Sequence, residues 1–149
     1  MTSGCAIGAN VAAMRVLIVE DSDSICRMIQ ALVAARGFEV RSAATGAKGL
    51  EEAFAWAPHV VLLDINLPGA YDGLQVCAKL RETPSTKATP VIIISAMNDD
   101  EVKRRAAAVG ANAFYDKPFS PLALLKEIEA LSKKSEAAMK ASRPSSPES

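Results

Sequence analysis

The chain has 149 residues, of which 50% are hydrophobic, so it can form one domain with a substantial core. Its 17 Lys and Arg residues balance its 17 Asp and Glu residues, which excludes a net charge that would attract nucleic acid or an anionic membrane. No apolar run approaches the ~20 residues of a membrane helix, and the first residues lack the pattern of a signal peptide. We therefore expect a cytoplasmic protein that binds neither nucleic acid nor a membrane directly. Three scattered cysteines without metal-ligand spacing indicate reduced thiols: Cys5, Cys26 and Cys77.

The first predicted element is a strand over residues 16–19, which are apolar and lead into Glu20 and Asp21. The fold is predicted to begin near Met14, and the small, unpatterned residues 1–13 are predicted to form a disordered leader. After several residues that can cap a helix, apolar side chains recur at spacings of three and four, which predicts an amphipathic helix. These side chains are Ile25, Met28, Ile29, Leu32 and Val33.

A second strand and a second helix are predicted next. Gly37 is expected to end the first helix. Residues 38–42 alternate between apolar and polar side chains, which is typical of a strand at the edge of a sheet. Thr45 is placed to cap a second helix, and Pro58 ends it because the residue before a proline disfavours helical backbone.

A third strand is predicted over residues 60–63. These are four consecutive apolar residues without alternation, as expected of a strand that is buried on both faces. Asp64 follows them directly, and a Pro-Gly pair a few residues later breaks regular structure. Asp64 is therefore expected where a buried strand opens into a loop. A short third helix is predicted after the turn-forming pair Asp72 and Gly73.

The fourth strand is predicted over residues 91–94 and ends at Ser95. Asn98 is a suitable cap for a fourth helix, which Gly110 is expected to end. Residues 111–115 then form the predicted fifth strand.

The fifth strand leads into Lys117, and the last helix is predicted to begin at Ser120 as cap with Pro121 in the first helical position. The domain is predicted to cover residues 14–132. Residues 133–149, rich in Lys, Ser, Ala and Pro, are predicted to be a disordered tail or the start of a linker. The buried stripe of the last helix is predicted to be Leu124, Leu125, Ile128 and Leu131.

Five strands that alternate with five helices predict an α/β fold with a doubly wound parallel sheet. In the flavodoxin-like (βα)5 arrangement the strand order is 2-1-3-4-5, and ligands bind beyond the carboxyl ends of the strands. With the first and third strands adjacent and ~4.8 Å apart, Glu20, Asp21 and Asp64 would crowd into one small volume.

Such crowding requires positive charge. Two carboxylates 4 Å apart repel each other by about 4 kcal/mol at an effective dielectric constant of 20. Lys117 would supply one positive charge against the three negative charges, and one Mg2+ ion would neutralise the remaining two. This group of side chains indicates phosphoryl transfer.

From about Met14 to Ser132 the chain resembles the receiver domain of two-component response regulators, including the single-domain chemotaxis regulators. The resemblance rests on residues that match the motifs of the family in type and in order: Glu20-Asp21, Asp64, Ser95 and Lys117-Pro118-Phe119.

The resemblance implies that Asp64 accepts a phosphoryl group from the phosphohistidine of a sensor histidine kinase or phosphotransfer protein, or from a small donor such as acetyl phosphate. Glu20 and Asp21 would bind Mg2+ together with Asp64 and the backbone carbonyl of Asn66. Lys117 would pair first with Asp64 and then with the phosphoryl group.

The resemblance also implies a switch. Ser95 would donate its hydroxyl to the phosphoryl group, and Phe114 would move with that loop and reshape the face formed by helix four, strand five and helix five, where a downstream protein binds. The Lys117–Pro118 peptide bond would be cis. A monomer or weak dimer is expected that is not an enzyme, apart from catalysing its own phosphorylation and dephosphorylation.

The chain departs from the commonest pattern of the family in three respects. Glu20 replaces a more frequent Asp, the loop over residues 68–73 is one residue longer, and Phe114 lacks the hydroxyl of a Tyr. The side chains of Asn66 and Met97 flank the site and are expected to tune dephosphorylation.

Two other functions compete with this interpretation. The chain could be a binding module that signals by contacts without phosphorylation, although the complete acidic set argues against this. It could instead be a phosphatase of the haloacid-dehalogenase type with Asp21 as nucleophile, although the chain has no room for the usual cap insertion. His59 is expected to be a simple loop residue, and residues 103–105 to be either a solvated helix face or a contact for a partner.

Overall fold

The computed structural model describes residues 14–96, 100–117 and 119–141, with side chains as far as Lys134. The strands are β1 (Arg15–Val19), β2 (Glu39–Ala43), β3 (Val60–Asp64), β4 (Val91–Ser95) and β5 (Ala113–Asp116). The helices are α1 (Asp23–Ala34), α2 (Gly46–Trp56), α3 (Gly73–Glu82), α4 (Asp100–Ala108) and α5 (Pro121–Ala141). The expectations for residues 1–13, Met97, Asn98, Pro118 and residues 142–149 lie outside the described residues.

The five strands form one parallel sheet in the order β2-β1-β3-β4-β5, which confirms the predicted topology. Val19 at the end of β1 lies opposite Leu63, and Asp64 at the end of β3 lies opposite Ile94. Ser95 in turn lies opposite Asp116 at the end of β5. The carboxyl ends of four strands therefore meet at one edge of the sheet.

The core has one apolar layer on each face of the sheet. Successive side chains of a strand point to opposite faces, so Leu17, Val61 and Ile93 pack toward α2, α3 and α4. Ile18 and Leu62 pack toward α1 and α5 on the other face. All residues of β3 and β4 are buried, as their uninterrupted apolar runs predict, whereas most of β2 is exposed at the edge of the sheet.

Local capping explains where most helices begin. The Ser22 side chain accepts from the Ile25 amide at 3.5 Å, and that of Thr45 accepts from the Lys48 amide at 3.2 Å. Asp72 and Gln75 form a reciprocal capping box at the start of α3. The Ala123 amide donates to Ser120 Oγ at 3.2 Å at the start of α5.

Several boundaries differ from the prediction. α1 ends at Ala34, and Gly37 lies beyond it with a φ of +89°. β2 and β5 begin one and two residues later than predicted. α5 continues to Ala141, beyond the predicted end of the domain at residue 132, and the domain and tail boundaries remain predictions. The apolar stripe ends earlier, but Lys, Glu, Ala and Met favour helix without one.

None of the helices in the described part of the chain is long and apolar enough to cross a membrane. Cys26 and Cys77 are buried free thiols, in agreement with the prediction of reduced thiols.

Arg81, at the end of α3, ties together the loops at the amino end of the sheet. Its guanidinium donates to the carbonyl of Gly110 at 2.7 Å and 3.1 Å, and to that of Thr89 at 2.6 Å. It also donates to Asn112 Oδ1 at 2.9 Å, and the same oxygen accepts from the Val91 amide at 2.9 Å. One side chain thus links α3, the segment before β4 and the segment before β5.

We predict that Arg81→Ala lowers the free energy of unfolding by about 2 kcal/mol, because several partly buried carbonyls lose a charged donor together. Chemical denaturation of the two proteins measures the difference. Arg104→Ala is the matched control, since Arg104 is exposed on α4 and its loss is expected to change stability by less than about 0.5 kcal/mol. Equal effects of the two substitutions would contradict the role given to Arg81.

Candidate functional site

Three carboxylates meet at the carboxyl edge of the sheet. Glu20 and Asp21 follow β1, and Asp64 is the last residue of the neighbouring β3. One carboxylate oxygen of each lies within 4.8 Å of the others. Glu20 and Asp64 are buried, whereas Asp21 is exposed, so the cluster is open to solvent on the side of Asp21. The predicted convergence of these residues is confirmed.

Lys117 enters the cluster from β5. Its Nζ lies 3.1 Å from Glu20 Oε1 and 3.2 Å from Asp64 Oδ2. Its backbone amide donates to the Ser95 carbonyl at 2.9 Å, which extends the contact of β5 with β4 and fixes where the side chain begins. One ammonium against three carboxylates leaves a formal charge of minus two.

Two backbone amides orient the buried carboxylates. The Ser22 amide donates to Glu20 Oε2 at 3.0 Å, and the Asn66 amide donates to Asp64 Oδ1 at 3.1 Å. Among the described residues, Glu20 Oε1 has the ion pair with Lys117 but no hydrogen bond of good geometry. This buried oxygen is therefore available to a further cation.

The surroundings of Glu20 and Lys117 raise the pKa values of both groups. Burial raises the pKa of Glu20 above its ordinary value of 4.5, and the Asp64 charge adds to the shift, whereas the Ser22 amide and Lys117 oppose it. Burial alone would lower the pKa of Lys117, but the Glu20 and Asp64 carboxylates, 3.1 Å and 3.2 Å from its Nζ, raise it overall. Lys117 therefore stays protonated, whereas ionisation of Glu20 costs free energy in the folded state.

The donor set fits a small divalent cation. Mg2+ prefers hard oxygen ligands, takes one or two carboxylates and keeps other positions for water. The cluster supplies three carboxylates, one of them at the surface, a buried oxygen without a well-oriented donor, and a charge of minus two. Zinc sites in proteins are usually built from His and Cys ligands, and this cluster of described residues contains neither.

The other predicted residues lie at varying distances from the cluster. Ser95 ends β4 and is fully buried beside the strand of Asp64, and Asn66 is exposed two residues after Asp64. Phe114 lies on β5 opposite Ile93 and packs, half-buried, against the core under α4. His59 is not part of the site: it is buried at 6% exposure, and its Nδ1 accepts from the Arg15 amide at 2.9 Å.

Gly73 is a site residue whose importance the sequence did not reveal. A Cβ atom there would overlap the carbonyl oxygen of Asp64 and would lie 2.8 Å from the Cα of Ile65. The Gly73 amide also donates to the Ile65 carbonyl at 2.9 Å. The absent side chain lets α3 begin directly against the end of β3. A glycine after a helix cap was the only signal, and it indicated a turn.

Residues 16–129 match the sequence profile of the response regulator receiver domain. The chain belongs to this family. Among curated relatives, PleD of Caulobacter vibrioides is 32% identical over 119 residues, which are 80% of this chain and 26% of PleD. VanRB of Enterococcus faecalis is 35% identical over 127 residues, which are 85% of this chain and 56% of VanRB. The chain thus spans between about a quarter and just over half of these relatives.

Solved receiver structures show the same fold. The chemotaxis response regulator CheY4 of Vibrio cholerae aligns with a TM-score of 0.75 and 32% identity over 80% of this chain and 99% of CheY4. The receiver domain of the Francisella response regulator 1452 aligns with a TM-score of 0.75 and 27% identity over 81% of this chain and 98% of that domain. The β2-β1-β3-β4-β5 sheet is therefore that of a CheY-like receiver domain.

We predict that Glu20→Gln raises the free energy of unfolding of the metal-free receiver domain by about 1 kcal/mol at pH 7. A carboxyl whose pKa is raised by folding costs stability above its ordinary pKa of 4.5, because the folded state holds the proton more tightly than the unfolded state. The gain should therefore disappear as the pH falls below 4.5, where Glu20 is neutral in both states.

Denaturation curves from pH 4 to pH 8 in a chelating buffer measure this gain. Glu51→Gln is the matched control, because Glu51 is exposed on α2 and pairs with Lys48 at the surface, at 3.6 Å. A variant that is less stable than the wild type at pH 7, or a gain that persists at pH 4, would show that burial of the charged Glu20 carboxylate is not the cause.

Proposed function

We propose that this receiver domain accepts a phosphoryl group on Asp64 with the help of Mg2+ and passes the signal to a downstream protein in a cytoplasmic phosphorelay. The position of Lys117 supports this most strongly, since its Nζ is 3.1 Å from Glu20 and 3.2 Å from Asp64. The Lys117 ammonium lies between two buried carboxylates, so negative charge has to be balanced at this position. Mg2+, held by Glu20, Asp21, Asp64 and the carbonyl of Asn66, would neutralise charge on the phosphoryl oxygens.

In the proposed reaction a carboxylate oxygen of Asp64 attacks phosphorus. The new O–P bond forms as the P–N bond to the donor histidine breaks, and the electron pair of that bond leaves with the imidazole; with acetyl phosphate the P–O bond breaks and acetate leaves. The Asn66 amide holds one Asp64 oxygen at 3.1 Å, so the carboxylate is oriented before it reacts.

Lys117 and Ser95 act on the product. Once Asp64 is an acyl phosphate, its charge has moved to the phosphoryl oxygens, and the Lys117 ammonium follows it. The Ser95 hydroxyl donates to a phosphoryl oxygen, which draws the end of β4 toward the site. Because the Lys117 amide donates to the Ser95 carbonyl at 2.9 Å, a displacement of Ser95 also acts on β5.

The proposed output face consists of α4, β5 and α5. Phe114 lies half-buried on β5, and Lys103 Nζ of α4 is 6.0 Å from the centre of its ring. A cavity of about 180 Å3 borders Phe114 and is otherwise lined mostly by small side chains. This space gives the Phe114 ring room to change position, so that Ser95 and Phe114 can act together as the switch.

A protein donor is supported by an apolar groove beside the site. The groove measures about 430 Å3 and is lined by Ile25, Met28, Lys117, Phe119 and Pro121. Met28 is 39% exposed on α1 and adds apolar surface to the wall of this groove. A groove that begins at Lys117 fits the apolar side of a helix that presents a phosphohistidine to Asp64.

We predict that incubation with acetyl phosphate and Mg2+ adds one phosphoryl group to the wild type and none to Asp64→Asn. Intact-mass spectrometry measures the adduct, and a chelator should abolish it. Asp23→Asn, which removes an exposed carboxylate paired with Arg27 at the surface, is the matched control and should be modified like the wild type.

The same experiment separates the competing functions. Modification of Asp64→Asn but not of Asp21→Asn would indicate the phosphatase mechanism with Asp21 as nucleophile. A wild type that no phosphoryl donor modifies would indicate a module that signals by contacts alone.

We predict that Met28→Asp slows transfer from a phosphohistidine donor about tenfold, since a charge in the groove opposes docking of an apolar helix. Its reaction with acetyl phosphate should be unchanged, because a small donor does not fill the groove. The donor is chosen as the kinase that transfers fastest to the wild type, and Phe54→Asp, at an exposed position of α2, is the control. Equal rates for both variants would rule out docking in this groove.

A further inference from the structure

The loop between β3 and α3, residues 65–72, carries Asn66 and borders the carboxylate cluster. Asn66 and residues 68–70 are exposed. Leu67 is buried, with 9% of its surface exposed, and Tyr71 is partly buried. The exposed middle of the loop is therefore held from its two ends, and Tyr71 lies at the end next to α3.

Tyr71 rests on the first residue of α2. A Cβ atom at Gly46 would lie 2.6 Å from the carbonyl oxygen of Tyr71 and 2.8 Å from its Cβ. It would also lie 2.8 Å from Cγ2 of Val76 on α3. Since real Cβ atoms almost never approach this closely, the loop can take this position only against a glycine.

Other contacts hold Tyr71 in place from the side of α3. Lys79 Nζ lies 5.7 Å from the centre of the tyrosine ring, and the ring packs against the core on this face. Asp72 is fixed by its capping box with Gln75, at 2.8 Å and 2.9 Å. The end of the loop is thus fixed between two helices.

The start of the loop is fixed as well. The Leu67 and Gly73 amides both donate to the Ile65 carbonyl, at 3.0 Å and 2.9 Å. The Asn66 amide donates to Asp64 Oδ1 at 3.1 Å, so the peptide units on both sides of Asn66 belong to one folded segment. A loop pushed outward at Tyr71 would pull on this segment and displace the Asn66 carbonyl.

We infer that the contact of Gly46 with the backbone of Tyr71 positions the backbone carbonyl of Asn66, which makes Gly46 and Tyr71 positioning residues for the proposed metal site. The inference rests on the proposed function, in which that carbonyl is a ligand of Mg2+. It also explains why a glycine opens α2 although alanine is the better helix former.

The test compares Gly46→Ala with Gly37→Ala in the full chain. Gly46→Ala should increase the Mg2+ concentration that gives half-maximal phosphorylation by acetyl phosphate about fivefold, while the rate at saturating Mg2+ changes less than twofold. Hydrogen exchange of the amides of residues 65–72 should accelerate about tenfold in the metal-free protein. Calorimetric titration with Mg2+ should show the same loss of affinity without any donor.

Gly37→Ala controls for a general loss of stability. Gly37 has a φ of +89°, which strains any other residue, but a Cβ atom there meets nothing within 4 Å. This variant should leave Mg2+ affinity and loop exchange as in the wild type. Tyr71→Ala should act like Gly46→Ala, whereas Tyr71→Phe keeps the ring over which Lys79 lies and should act like the wild type. This pair also decides the matter if Gly46→Ala does not fold.

The outcomes separate the inference from the proposed function. If the wild type is phosphorylated and both Gly46→Ala and Tyr71→Ala match it in Mg2+ affinity and loop exchange, the inference alone is overturned. If Gly37→Ala shows the same loss as Gly46→Ala, a general loss of stability explains the effect and the inference is also wrong. If the wild type neither binds Mg2+ nor accepts a phosphoryl group, the proposed function fails, and the positioning role fails with it.

Discussion

The parallel sheet forces three carboxylates into one volume at its carboxyl edge, and the rest of the structure accommodates this repulsion. Glu20 directly follows β1, Asp64 ends the adjacent β3, and both are buried, so neither can turn away into water. Lys117, delivered by the end of β5, balances one of their charges from 3.1 Å and 3.2 Å. The remaining formal charge of minus two is electrostatically unfavourable, and a cation bound there would offset it.

The stability that the site costs is supplied by apolar burial elsewhere. β3 and β4 are entirely buried, and each buried Leu, Ile or Val side chain is worth about 1.5–3 kcal/mol relative to exposure. The site itself is held by backbone contacts: amides orient Glu20 and Asp64, and Gly73 lets α3 begin against the Asp64 carbonyl. Backbone groups can hold a charged site without adding further charges to it.

The sequence predicted the fold and the central site because both depend on simple patterns. Asp64 stood out as the one charge after an uninterrupted apolar strand, and the alternation of strands and helices placed it beside Glu20. Contacts between distant segments were not predictable in this way. Gly46 resembles an ordinary helix start until its distance from Tyr71 is known, and Arg81 resembles a solvated helix residue until its acceptors are seen. The end of α5 was missed because its last turns form without an apolar stripe.

The weak packing of α4 offers a route by which the proposed phosphorylation of Asp64 would move this helix. Only Val102 and Ala106 of its nine residues are buried, so little apolar contact holds it on the sheet. Its carboxyl end is followed by Gly110, whose carbonyl Arg81 holds at 2.7 Å and 3.1 Å. A pull on Ser95, which lies between Asp64 and α4 along the chain, would therefore act on the weakly packed helix from its amino end. With its carboxyl end held, α4 would tilt more readily than translate, and the cavity beside Phe114 borders the carboxyl-terminal half of this helix.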